Sequence, residues 1–123
     1  MVNEIKNFYD LEVWQKSHQL VIEIYKITKD FPKEEQFGLT SQLKRAVSSI
    51  TANIAEGFER YHFNDKKRFY YQARGSLAEV ENFLILARDL GLIEHSKYDK
   101  LRKQIDEVRR LINGLIKSIK SNQ

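Results

Sequence analysis

Apolar residues recur along this chain at spacings of three and four, the period of one buried face on an α-helix. Four stretches carry the pattern. In the first, 11–29, the expected stripe is Trp14, His18, Val21, Ile24 or Tyr25, and Thr28. Asp10 is its expected N-cap, and Phe31-Pro32 ends it, because the residue before proline is driven out of the α region. The second, 39–59, carries Leu39, Leu43, Ala46 or Val47, Ile50, Ile54 and Phe58. The third, 65–90, is expected to be capped by Asn64 and stopped by Gly91, with Phe69, Ala73, Leu77, Val80, Leu84 and Ala87 on its inner face. The fourth, 97–120, opens at Ser96 with Asp99 approximating a capping box. Its seam, Leu101, Ile105, Val108, Ile112, Leu115 and Ile119, is coiled-coil-like.

Nothing alternates with period two for long enough to make a strand. Short connections favour antiparallel neighbours, so the pattern predicts one all-α domain over residues 1–123, an antiparallel up-down-up-down four-helix bundle. Phe8 and Tyr9 are expected to pack over one end. Leu20, Ile27, Phe83, Leu111 and Ile116 fall outside the stripes and call for cover, which hints at assembly.

The second helix also carries a polar stripe beside its apolar one: Arg45, Ser49, Asn53 (or Ala52), Glu56 and Arg60. A hairpin centred near His62 sets Arg45 against Glu79, Ser49 against Gly75, and Glu56 against Arg68 or Lys67; Arg60 or Arg68 beside Glu56 would keep it ionised. Gly75 and Ser76 would then let the helices approach closely. Gly57 costs about 1 kcal/mol relative to alanine in a helix interior, so a neighbouring chain or a bulky aromatic is expected against it. This stripe reads mainly as fold or assembly architecture, with Trp14 as a packing anchor and His18 as a core or interface histidine.

Composition narrows the class. Charged residues make up 31% of the chain and apolar ones 41%, as in globular proteins. With no cysteine, disulfides, thiolate metal sites and cysteine nucleophiles are excluded. The longest purely apolar run is short, Phe83 to Ala87, so a spanning helix is not expected. The N-terminal MVNEIKNFYDLEVW has acids and no apolar h-region, so a cytoplasmic protein without membrane association is expected. The single E-x-x-H match, Glu59 to His62, lacks the second motif a diiron bundle needs. No catalytic, cofactor-binding or metal-binding residue emerges, and an enzyme is not expected.

Charge is uneven within the net +4. From Arg60 to Arg74 five basic residues face one acid, and from Lys97 onward eight face three. Arg60, Lys66, Lys67 and Arg68 cluster at the second turn, interleaved with Tyr61, His62, Phe63, Phe69 and Tyr70. Lys103, Arg110 and Lys117 share one heptad position, with Arg102 and Arg109 beside them. Cations neutralise phosphates and aromatics stack on unpaired bases, so these are candidate nucleic-acid contacts.

The phrases NFYDLEVWQKSHQLVIEIYKIT, FPKEEQFGLTSQLKRAVSSITANIAEGFER and ARGSLAEVENFLILARDLGLI, with the final helix, resemble the bacterial four-helix bundle proteins encoded by intervening sequences in 23S ribosomal RNA genes. The resemblance runs from about Phe8 to Lys117. Thr51 stands where that family usually has proline, which reduces any kink there. The resemblance implies a ring-like homopentamer, in which Asn53 and Glu56 would hydrogen-bond between subunits. It also implies kinship with the accessory variability protein of diversity-generating retroelements, a basic pentamer that binds nucleic acid and a reverse transcriptase. Two functions follow as expectations. One is a nucleic-acid-binding oligomer, with RNA (or DNA) held through its backbone. The other is a scaffold that recruits a protein partner.

Overall fold

The computed structural model describes residues 4–120. Four helices account for most of them: α1 (Glu12–Thr28), α2 (Leu39–Glu59), α3 (Phe63–Asp89) and α4 (His95–Lys120). Short 3-10 turns at Phe8–Asp10 and Lys33–Glu35 precede α1 and α2. Each helix packs against its sequence neighbour, α1 also packs against α4, and among the described residues the diagonal pairs do not approach as neighbours. This is the antiparallel up-down-up-down bundle that the periodicity predicts.

The core is continuous from Leu20, Ile24 and Leu43 to Leu84, Ile105 and Ile112, each almost wholly excluded from solvent. In α2 and α3 the expected stripes are buried except Phe58 and Phe69, which are half-buried, and Thr40, Gly57, Tyr70 and Ser76 are buried in addition. In α1 the buried line is Val13, Ser17, Leu20, Ile24 and Ile27, one residue ahead of the expected stripe. Thr28 is buried too, but Trp14 and Val21 are only half-buried, and His18 and Tyr25 are exposed. Ser17 causes the misreading: a serine interrupts the true stripe, and the neighbouring line carries the aromatics. In α4 the seam steps from Ile112 to Ile116, and Leu115 is its half-buried flank. Leu20, Ile27 and Ile116 therefore lie inside the subunit, while Phe83 and Leu111 pack partly against the core. These five residues give no reason for assembly.

The helix ends follow backbone geometry more than the expected caps. Leu11, with extended backbone, is the N-cap of α1. Asp10 instead accepts from the backbone N–H groups of Lys6 (3.1 Å) and Asn7 (2.9 Å), closing the preceding turn. Helix α3 begins two residues earlier than expected, with His62 rather than Asn64 at its N-cap. Helix α4 begins at His95, so Ser96 and Asp99 lie within it, and the N–H of Tyr98 donates to the carbonyl of Glu94. Gly91, at φ 76°, ends α3 as expected. Its N–H donates to the Arg88 carbonyl, and that of Leu92 to the Ala87 carbonyl, a Schellman closure that requires the left-handed glycine.

Candidate nucleic-acid interface

Helices α2 and α3 form the hairpin on which the first candidate cluster is mounted. The polar stripe of α2 does pair with α3, in a register close to the expected one. Arg45 meets Glu79 at 3.6 Å. Ser49 meets Ser76 rather than Gly75, hydroxyl to hydroxyl at 2.9 Å. Asn53 donates to the carbonyl (2.8 Å) and hydroxyl (3.0 Å) of Ser49, one turn back on the same helix. Glu56 pairs along α2 with Arg60 at 3.1 Å instead of reaching across to Arg68 or Lys67. An i,i+4 partner on the same helix is nearer and costs less side-chain order. Gly57 is buried, and its open side is filled by the Tyr70 ring. Gly75 is exposed, with nothing near a Cβ placed there, so it provides no close approach within the subunit.

The cations of the α2–α3 turn are engaged. Lys66 donates to the carbonyls of Gly57 (3.2 Å) and Phe58 (2.7 Å), closing the C-terminus of α2. Burial pushes its ammonium below the ordinary lysine pKa, with Glu59 pulling the other way. Arg68 lies 3.9 Å from Asp65. Both Arg60 and Arg68 lie over the Phe69 ring, at 4.7 and 5.0 Å. Lys67 is half-buried and has a partner of its own.

The fourth helix is different. Opposite its buried seam lie Lys103, Arg110 and Lys117, and Lys100 stands on the flank toward α1, all four exposed. Among the described residues no carboxylate is paired with any of these four. Lys103, Arg110 and Lys117 repeat every seven residues, about 10.5 Å per step along the axis. Arg109 is set apart from this line, because its guanidinium donates to Glu81 of α3 and, at 3.3 Å, to Asp106. Arg102 is likewise paired with Asp106, at 3.5 Å. Lys100, absent from the sequence-based site, lies one turn before Lys103 but borders the cleft against α1.

Between α1, the α3–α4 connection and the start of α4 lies an open cleft of about 380 Å³, lined by Ile27, Asp30, Leu92, Ile93, Glu94, Ser96, Lys97 and Lys100. Both charge signs line it. Among the described residues no three His, Asp or Glu side chains gather as metal ligands would. No described helix is long and apolar enough to cross a membrane. At the other end Trp14 packs, partly buried, against the core, stacked on His18 at 4.7 Å and met edge-on by Phe8 at 5.5 Å.

Fold and surface define the class as an antiparallel four-helix bundle with a basic outward line on its last helix. The chain belongs to the 23S rRNA-intervening sequence protein family, whose model matches residues 9–114. It is also similar to a solved structure from Bacteroides thetaiotaomicron, described as a protein with unknown function from the S23 ribosomal protein family. That likeness has a TM-score of 0.79 and 25% identity, over 85% of this chain and 95% of the other. No protein of curated function matches.

Proposed function

We propose that this protein is a cytoplasmic, non-enzymatic, RNA-binding homo-oligomer, a pentamer as the family resemblance implies, and that it holds structured RNA through backbone phosphates. The observation that carries the reading is the line of Lys103, Arg110 and Lys117 on the outward face of α4, none of them ion-paired with a described carboxylate, though Asp106 and Glu107 lie beside Lys103 and Arg110. A phosphate exchanging with counterions meets these ammonium and guanidinium groups without first breaking an ion pair. Repetition of the line around an oligomer turns weak contacts on one long RNA into strong overall binding. The origin of the family name in 23S rRNA genes fits an RNA ligand.

The test is binding of a fluorescent RNA hairpin across a salt series, with assembly mass measured in the same buffers. Affinity should fall steeply with salt on an intact oligomer. Reversing all three charges, with Lys103→Glu, Arg110→Glu and Lys117→Glu, should lower the log–log salt slope by about 2–3. Absence of binding even at low salt sinks the reading. A mass equal to one chain in dilute solution sinks the oligomer.

The scaffold reading rests on a different observation. The outward face of α3 is poor in charge and exposes Tyr71, Ile85 and Leu86, with Gly75 open between them. Such a face suits a protein contact more than a phosphate. Within the proposal it serves contacts between subunits. It becomes the principal surface if the α4 line binds no RNA.

A further inference from the structure

The α2–α3 connection holds an aromatic side chain that the fold does not use. Tyr61 is 88% exposed, and its ring meets only the edge of His62, at 5.1 Å. Of the aromatics around it, Phe63 is half as exposed, at 44%, and two others are occupied. Tyr70 is buried against Gly57, and Phe69 already carries two guanidinium groups.

The mounting of Tyr61 is firm. Arg60 ends α2 with its N–H on the Gly57 carbonyl at 3.2 Å, and the His62 carbonyl accepts from the Lys66 N–H at 3.0 Å. Lys66 then fastens the start of α3 to the end of α2. A large flat ring is thus held out from a short, rigid corner.

Its surroundings select the partner. Arg60 and Arg68 flank the corner, and their carboxylate pairs are exposed ones, which exchange readily. The α3–α4 register is fixed by Arg109 on Glu81 and Arg74 on Asn113 at 2.9 Å. That register sets Lys117 level with about Tyr70, roughly 10 Å along the bundle from the start of α3. The basic line of α4 therefore runs out at the end where Tyr61 projects. Phe37 is equally exposed, at 90%, but it lies at the opposite end of α2, after Glu34 and Glu35. The same aromatic exposure there meets acids that repel phosphate.

We infer that Tyr61 is a stacking platform for an unpaired nucleobase, so that the ligand is an RNA whose backbone lies along α4 and whose loop or overhang reaches the α2–α3 corner. This deepens the reading of α4 as a phosphate-binding face and rests on it. Base–aromatic stacking needs only a π-face on each partner, so the platform recognises unpaired structure and not sequence.

The experiment compares three labelled RNAs of equal phosphate count by anisotropy: a stem–loop, a blunt duplex, and the stem–loop with abasic loop nucleotides. Tyr61→Ala, which removes an exposed side chain, should weaken the stem–loop about 5–100-fold and leave the blunt duplex within about twofold. The abasic loop should bind the wild-type protein as weakly as the stem–loop binds the alanine variant. Tyr61→Trp should restore the preference. Equal binding of stem–loop and duplex, or a stem–loop affinity unmoved by Tyr61→Ala, overturns the inference while the α4 reading stands. A change of assembly mass in Tyr61→Ala assigns the ring to a contact between copies and overturns it too. No binding of any RNA by the wild-type protein removes the α4 reading, and this inference with it.

Discussion

Gly57 lies so close to the ring of Tyr70 that a Cβ at position 57 would sit 2.6 Å from Cε1 and 3.1 Å from the Cβ of Phe69. The glycine is therefore a consequence of how α2 and α3 close, not a weakness in α2. Tyr70 is fixed by burial, and Phe69 by the backbone it stands on, so neither yields cheaply. Gly57→Ala should destabilise the fold by about 1–2 kcal/mol, as the overpacking cost exceeds the gain of about 1 kcal/mol in helix propensity. Urea denaturation followed by circular dichroism measures the difference. An unchanged or raised midpoint would show that the ring moves aside without cost.

Gly75 is the opposite case. Nothing in the subunit lies within 4 Å of a Cβ placed there. Gly75→Ala should stabilise the isolated subunit by up to about 1 kcal/mol. If the outward face of α3 forms the contact between copies, the same change should lower the assembly mass at low concentration. Sedimentation and thermal melting of one variant then separate the two effects. A more stable protein of unchanged mass would take Gly75 out of the interface.

Burial pushes the Tyr70 phenol from its ordinary 10.0 up to about 12. The sign of the consequence follows from proton counting. Between these two values the unfolded chain has lost the proton and the folded chain has kept it, so stability falls as pH rises through this window. The full loss is on the order of 2–3 kcal/mol at 1.36 kcal/mol per unit of pKa difference. Lys66 acts with the other sign: its folded pKa is lowered, so it contributes a rise in stability up to 10.5, its ordinary value. Denaturation at pH 9.5 and 11.5, for wild type and Tyr70→Phe, checks this. The phenylalanine variant should lose distinctly less stability over that interval.

How far the sequence could be read depended on which residues interrupt each stripe. The bounds of helix α2 were legible to the residue, and its line from Leu43 to Ile54 was legible because no polar residue interrupts it. Helix α1 misled by one position because its buried line contains Ser17, whose hydroxyl has no hydrogen-bond partner among the described residues. The neighbouring line, Trp14, His18, Val21 and Tyr25, looks more hydrophobic than the real core face. Antiparallel numbering found the Arg45–Glu79 pair. For Glu56 it offered Arg68 or Lys67 across the hairpin, and the partner that forms is Arg60, the other cation expected beside it, one turn along the same helix. The candidate interface was legible as composition only. Which cations already have acids or carbonyls within reach depends on side-chain placement, and it divides the α2–α3 cluster from the α4 line.

That division is sharpest between two adjacent residues, Arg109 and Arg110. Arg109 bridges α4 to Glu81 of α3 and to Asp106, with about a third of its side chain exposed. Arg110 is exposed, and no described carboxylate is paired with it. Arg109→Ala should therefore cost stability, about 1 kcal/mol for a partly buried charge-assisted pair, and leave Glu81 without its partner. It should change RNA affinity little. Arg110→Ala should leave the denaturation midpoint nearly unmoved, and should reduce the log–log salt slope for RNA by about 0.7–0.9, the contribution of one phosphate. Measuring both properties on both variants gives a two-by-two comparison in which a general charge effect predicts equal RNA losses. Equal losses would mean that the last helix attracts RNA diffusely, without the line of contacts that the placement of Lys103, Arg110 and Lys117 defines.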